Sequence, residues 1–536
     1  MSTSPTNIIF LWHMHQPFYK FPQKRFYFLP WVRLHGTKDY YGMARLVKKF
    51  NKVKVTFNFS GILLNQLLDY IDNNAEDYYS ILTLKNPRYL TRKEKSFIIE
   101  RFFSVNFERF IRPNKRYLQL YQKKLTPKSQ FSSQEIQDLQ VLFNLCWFHP
   151  YTIKEDKNLK NLIDKEKSYT QEDKEYIIKK QYIILSQIIP LYKKLLREGR
   201  IEISLTPYAH PILPLIYDTE IIEEFPYLEK PAVRFSYPND CRWHIDKSQE
   251  IFKKIFDRKI KGSWPAEGGI SADVAKLYEE KKFNWILLDE GILFKSLTTD
   301  YVSRDLIEKQ RHLIYRGYKY RDLNLLFRDR NLSDAISFIY QGWDDPVFAA
   351  NDLLEHFRRI HYHTSSMFKE RVITIAMDGE NAWEYYKNNG VEFLETVYSC
   401  LEKSQFFTTT TPSRFCTKQV AEKLEKISSG SWINSDFSVW IGSKKNNFNW
   451  YILKKLRDLI DKRKGENLDK IKEYFYILEG SDWNWWNTFE DVNGDFRKIF
   501  LSYVKEIYRL LNKRVPSYIK NEGGKIAMGK DEKPKE

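Results

Sequence analysis

The stretch Asn7-Ile8-Ile9-Phe10-Leu11-Trp12-His13-Met14-His15-Gln16-Pro17 sets the pattern for the chain: a β-branched and aromatic run that stops abruptly in polar side chains and a proline. Such a run reads as a buried strand that delivers polar residues at its C-terminal end. Runs at Val53 to Phe59, Ile201 to Thr206, Ile260 to Trp264, Asn284 to Leu288, Ala335 to Tyr340 and Val372 to Met377 read the same way. Long charged helical stretches separate them, as in parallel β/α units, and the pattern predicts roughly seven strands. The segment from about Arg92 to Lys194 is too long for one crossover and predicts inserted helices around residues 90–195. After about residue 400 the strand pattern fades. Val420 to Ile427, Asn449 to Lys464, Leu468 to Leu478 and Asp495 to Leu511 carry apolar residues at helical spacing. The expected organisation is a catalytic α/β domain over 1–400 followed by a helical C-terminal domain over 401–536. No low-complexity linker separates the two, so close packing is expected.

Composition narrows the function classes. With 536 residues, 42% of them hydrophobic and 16% aromatic, the chain can build a large core and is not a disordered protein. The formal charge of +18 raises nucleic-acid binding, but the lysines interleave with Asp and Glu along helical segments, the pattern of solvated helix faces. No nucleic-acid partner is expected, and the basic stretch from Lys513 to Lys535 reads as a frayed terminus. Cys146, Cys241, Cys400 and Cys416 are dispersed and form no C-x-x-C pair, so reduced thiols are expected. No segment approaches the roughly 20 apolar residues of a membrane span, and the first residues lack a signal-peptide pattern. No membrane partner and a cytoplasmic location follow as expectations.

Four polar clusters fall at strand ends, the active-site face of a β/α barrel. His13 and His15 lie two apart, so both face one side of the strand; they suit metal ligation, hydrogen bonds to hydroxyl groups, or the satisfaction of buried backbone groups, the last more for His13. Glu202 lies inside an apolar strand, where an ionised side chain is costly unless paired; it reads equally as a ligand-binding or a solvent-edge carboxylate. His210 follows in the loop Thr206-Pro207-Tyr208-Ala209-His210, as a ligand contact or a loop anchor. Trp264-Pro265-Ala266-Glu267-Gly268-Gly269 sets a carboxylate beside an indole before a sharp turn, either as a nucleophile or as a cap of the helix starting near Ser271. Met377-Asp378-Gly379-Glu380-Asn381 delivers a second acid from an apolar strand. Two carboxylates flanking one bond are what glycoside hydrolysis requires.

In this order, His13-Met14-His15-Gln16-Pro17, Gly199 to His210, Trp264-Pro265-Ala266-Glu267, Met377-Asp378-Gly379-Glu380-Asn381 and Gly480-Ser481-Asp482-Trp483-Asn484-Trp485-Trp486 resemble the characteristic regions of glycoside hydrolase family 57. The resemblance implies a (β/α)7 barrel followed by an α-helical domain that closes the active site. It implies a retaining double displacement on α-linked glucans without metal or other cofactor, with Glu267 as nucleophile and Asp378 as general acid/base. His15 and Glu202 would hold sugar hydroxyls and Trp264 would flank them, with His13, His210, Asp482 and Trp483 as further substrate contacts. The expected partners are starch, glycogen, maltooligosaccharides and pullulan. The Trp-Pro-Ala-Glu-Gly-Gly and Asp-Gly-Glu-Asn-Ala-Trp-Glu variants resemble the α-amylase and amylopullulanase branch more than the branching enzymes. The family's 4-α-glucanotransferases share the catalytic pair. From other classes, a metal-dependent polysaccharide deacetylase-like hydrolase would use His13 and His15 with an aspartate and would lose activity to a chelator. A non-catalytic glucan-binding protein would bind glycogen and release no reducing sugar.

Overall fold

The computed structural model describes residues 4–298, 304–418 and 421–520. Strands β1 (Thr6–Met14), β2 (Val55–Ser60), β3 (Ile201–Thr206), β4 (Gly262–Ser263), β5 (Trp285–Asp289), β6 (Tyr318–Tyr320), β7 (Leu323–Arg328), β8 (Val372–Asp378), β9 (Phe407–Thr409) and β10 (Glu422–Lys423) form one sheet. Its path is β10-β6-β7-β5-β4-β3-β2-β1-β8, with β9 added beside the start of β1. Every pairing is parallel except that of β6 with β7. The series from β7 to β8 supplies the seven strands of a (β/α)7 barrel. Its two ends approach each other: the Asp329 N–H, just past β7, donates to the Thr374 carbonyl in β8 at 2.8 Å.

Alternation along the strands sorts the apolar side chains into two cores. Ile9 and Leu11 of β1 and Val372 and Ala376 of β8 share a small interior cluster with Trp264, Trp285, Leu287, Leu326 and Phe415. The opposite parity of β1, Ile8, Phe10, Trp12 and Met14, belongs to the large outer core. Register then aligns the polar residues that end the interior rows: His13 pairs with Asp378 on one side and Asn58 on the other, and Asn58 pairs with Ser204.

Two readings of the sequence are corrected. Ala335 to Tyr340 is helical, a wide turn over Ala335–Ile339 followed by a tight one over Tyr340–Gly342. Ile336 and Tyr340, four apart, are buried while Phe338 and Ile339 between them face solvent, which is helical rather than alternating periodicity. The barrel strand in this part of the chain is Leu323–Arg328, whose leucines carry little β-branched signal. Val420 lies outside the described residues, and the rest of the helix expected up to Ile427 holds the short strand β10 instead. The sheet also continues past residue 400: β9 pairs with β1, and the following helix, Pro412–Cys416, places Phe415 in the barrel interior.

The expected helices of the insert form between Arg92 and Arg197, and three of them start with reciprocal capping boxes, Thr91 with Glu94, Ser132 with Glu135 and Thr170 with Asp173. Lys123 and Lys165 are paired with Glu135 and Asp173 there, as the interleaved charge predicted. Helices Lys444–Asp461, Leu468–Leu478, Asp482–Thr488 and Asp495–Leu510 follow the barrel. Much of the basic terminal stretch, from 521 onward, lies outside the described residues. All four cysteines are free, and no described helix is long and apolar enough to cross a membrane.

Candidate active site

The interior ends of β1, β2 and β3 build a hydrogen-bonded chain whose direction can be read from its members. The Asn58 amide donates to Ser204 Oγ at 3.0 Å, which leaves its Oδ1 to accept from Thr206 Oγ1 at 2.8 Å and from His13 Nδ1–H at 2.6 Å. His13 Nε2 is therefore bare and accepts from His210 Nε2–H at 3.0 Å, and His210 Nδ1 accepts from Ser481 Oγ–H at 2.8 Å. Burial, then the charge of His15, pushes the His13 pKa down to about 3, and burial with both neighbouring histidines holds His210 well below the ordinary value. Both rings are neutral at physiological pH. His210 adopts a left-handed backbone, φ 58°, and its carbonyl accepts from Ser481 N–H at 3.0 Å. The loop after β3 is thereby tied to the start of helix Asp482–Thr488.

His15 stacks on His210 with ring centroids 3.8 Å apart and planes 8° from parallel. Its Nδ1 bonds Ser60 Oγ at 2.7 Å, and its Nε2–H donates to the Asp482 carboxylate at 3.1 and 3.2 Å. Ligand atoms of His15, His210 and Asp482 lie within 4.8 Å of one another, close enough to consider a cation. Yet both nitrogens of each histidine, and of His13, are engaged with protein partners. A metal would have to break those bonds, so the donor set does not fit a preformed metal centre.

Glu267 lies in the turn Ala266–Gly268 after β4 with a left-handed φ of 55°, and Asp378 ends β8. The helix after the turn is capped by Ser271, whose hydroxyl accepts from Val274 N–H, so Glu267 is not spent as a helix cap. Glu267 Oε2 accepts from Trp432 Nε1–H at 2.7 Å, and its Oε1 is 3.8 Å from His210 Nδ1. The Asn381 amide donates to Asp378 at 3.4 Å. Both acids line one cavity of about 590 Å³ together with His13, His15, His210 and Asp482. Trp264, Trp432, Trp485 and Trp486 add indoles to the same wall. Buried Trp264 Nε1–H and Glu380 Oε2, on this wall, make no hydrogen bond within the protein.

The acids do not share one electrostatic environment. Burial first, and then the charges of Asp378 and Asp482, push the Glu267 pKa up to about 8 against the pull of the Trp432 bond. Burial also raises Asp378, but Asn381, His15 and Arg328 pull it back. Both acids are thus raised above the ordinary carboxylate range and titrate as a pair.

The structure brings Glu267, Asp378, His13, His15, His210, Trp264 and Asp482 together around one cavity. It does not bring Glu202 or Trp483 to the cavity. Glu202 lies two residues before Ser204 on β3, roughly 6–7 Å down the strand from the histidine layer. Its carboxylate is occupied by Trp285 Nε1–H at 2.9 Å and by the N–H and hydroxyl of Ser413 at 3.0 and 2.6 Å. Trp483 is buried, donates to the Ile477 carbonyl at 2.8 Å and packs on Phe500. Sequence reasoning missed Asn58, Ser60, Ser481 and Trp432. The alternation Thr56, Asn58, Ser60 within Val55–Ser60 is a polar face that could have revealed the first two; nothing local marks Trp432.

Paired, partly buried carboxylates in an indole-lined cavity at the C-terminal ends of barrel strands are the arrangement of an enzyme that works on glycosidic bonds. The chain belongs to glycosyl hydrolase family 57, whose family model matches residues 9–428. A sequence search among curated proteins finds no match. Among solved structures, it is similar to a GH57 branching enzyme from the hyperthermophilic archaeon Thermococcus kodakaraensis, at 15% identity over 96% of this chain and 93% of that one, with a TM-score of 0.61. It is similar to the α-amylase AmyC of Thermotoga maritima at 14% identity over 96% and 95%, with a TM-score of 0.60. It also resembles a 4-α-glucanotransferase from Thermococcus litoralis at 14% identity, over 95% of this chain and 60% of that one, with a TM-score of 0.54. At such identities the likeness is one of fold, and it does not favour the α-amylase branch over the branching enzymes.

Proposed function

We propose that this chain is a retaining glycoside hydrolase of α-linked glucans, cleaving α-1,4 bonds in starch- and glycogen-type substrates. The observation that carries the reading is the presence of Glu267 and Asp378, both partly buried, in the lining of one cavity with neutral imidazoles and indoles. Glu267 attacks the anomeric carbon as the glycosidic C–O bond breaks, and Asp378 gives its proton to the departing oxygen. Asp378, now ionised, takes a proton from water; the water oxygen bonds to the anomeric carbon and Glu267 is released. His15, held by Ser60 and Asp482, and His210, held by His13 and Ser481, line the cavity as fixed rings against which the sugar is placed. Trp264 backs the cavity and packs edge-on against Trp432.

Turnover needs the proton on Asp378 and the charge on Glu267. Incubation with maltoheptaose and pullulan, with products profiled by chain length, tests the function. Shorter maltooligosaccharides support hydrolysis, longer ones show transfer to a sugar acceptor, and maltotriose from pullulan shows α-1,6 cleavage. Glu267→Ala should lose several powers of ten in kcat while remaining folded. Near wild-type turnover in that variant would end the assignment.

A further inference from the structure

Trp432 lies just past the matched region, in the segment between β10 and helix Lys444–Asp461, and none of the sequence motifs includes it. It grips Glu267 twice. Its indole N–H reaches Glu267 Oε2 at 2.7 Å, and its backbone N–H donates to the Glu267 carbonyl at 2.9 Å, across the residue whose φ is 55°. A left-handed backbone is strained for a residue with a side chain and persists where its surroundings hold it.

The indole is itself fixed. The Arg328 guanidinium lies over it, 4.9 Å from the ring centroid, and Trp264 meets it edge-on at 5.3 Å. Arg328 has no freedom to leave: it is held by Asp289 at 2.9 Å, Asp334 at 2.9 Å and the Ala376 carbonyl at 3.0 Å, within the strand that ends in Asp378. The segment carrying Trp432 is bridged to the Glu267 turn by Ile270 and Gly430, which exchange both backbone bonds at 2.9 and 3.1 Å. Lys295 Nζ anchors its far side on the Ser435 carbonyl at 2.6 Å.

We propose that Trp432 is a positioning residue for the nucleophile: its indole N–H, aimed by Arg328 and Trp264, holds one oxygen of Glu267 so that the other is presented to the anomeric carbon and the ionised form is favoured. The role rests on the assignment of Glu267 as nucleophile. The other groups facing Glu267 are Asp378 and Asp482, whose charges oppose its ionisation, and His210, neutral and 3.8 Å away. Trp432 Nε1–H is thus the donor at hydrogen-bond distance that favours the charge.

Trp432→Phe keeps an aromatic ring against Arg328 and removes the N–H. On maltoheptaose, kcat should fall by about ten- to a hundredfold with KM within about threefold, the loss of one bond to a charged acceptor. Because the Trp432 N–H favours ionised Glu267, its removal should also move the alkaline limb of kcat/KM to higher pH. An unchanged kcat, or a raised KM with kcat intact, overturns the proposal. An activity-free readout separates this from the functional reading. In protein with ¹⁵N-labelled indoles, the signal assigned to Trp432 by its loss in Trp432→Phe should titrate in the wild type and be flat in Glu267→Gln. A Trp432 signal that ignores Glu267 overturns the contact even if the enzyme proves active. If the signal titrates and no glucan is cleaved, the functional reading alone fails.

Discussion

Replacing Glu202 with alanine separates a substrate-binding carboxylate from a structural one. The carboxylate accepts three hydrogen bonds, from Trp285 Nε1, Ser413 N and Ser413 Oγ, and these link β3 to β5 and to the helix Pro412–Cys416 that carries Phe415 into the barrel. A buried donor left without an acceptor costs ~1–3 kcal/mol. The three share one carboxylate on a partly exposed residue, so water recovers part of the loss and the total is about 3 kcal/mol. With an unfolding entropy of ~2.1 cal/mol/K per residue, some 500 residues give ~1 kcal/mol/K, so the melting temperature should fall by about 3 °C. Glu202→Gln retains an accepting oxygen and should fall by less. Scanning calorimetry at one fixed scan rate and initial-rate kinetics on maltoheptaose at 25 °C are the assays. The expected result is a lowered melting temperature with kcat/KM within about twofold of wild type. A tenfold rise in KM at unchanged melting temperature would refute the reasoning and return Glu202 to the substrate.

Other outcomes follow from the same geometry. The pH profile of kcat/KM should be bell-shaped, since the active pair holds one proton and burial raises both Glu267, to about 8, and Asp378; a rate that climbs monotonically with pH contradicts the acid role of Asp378. Ser481→Ala removes the donor to His210 Nδ1 and should lower kcat/KM by roughly tenfold with little change in melting; a purely thermal effect would make Ser481 structural. Gly262→Ala would put a Cβ 1.9 Å from Trp285 Cε2 inside the barrel, and soluble expression should be lost. Normal yield and melting would show that the interior can repack.

What the sequence disclosed was set by local signals. Apolar runs ending in His13, Thr206 and Asp378 are strands because burial on both faces demands them, and the polar residues after them could be read as one face of a barrel. The wide turn at Ala335–Ile339 imitates that signal with β-branched and aromatic residues, and only the burial of Ile336 and Tyr340 distinguishes it. Glu202 was legible as a carboxylate that needs partners. Which partners depends on how far down the barrel it lies and on Ser413, more than 200 residues away. Trp432 has the same character: its contact with Glu267 is created by tertiary packing on Arg328 and Trp264, and no spacing rule announces it.

The central claim is that Glu267 carries the glycosyl group between the two steps. The direct measurement is peptide mass mapping of the Asp378→Asn protein after incubation with α-maltosyl fluoride, whose leaving group needs no acid but whose intermediate then lacks its base. The account predicts a glycosyl adduct on the peptide containing Glu267. An adduct on any other residue, or release of the β anomer with no covalent species, would contradict it.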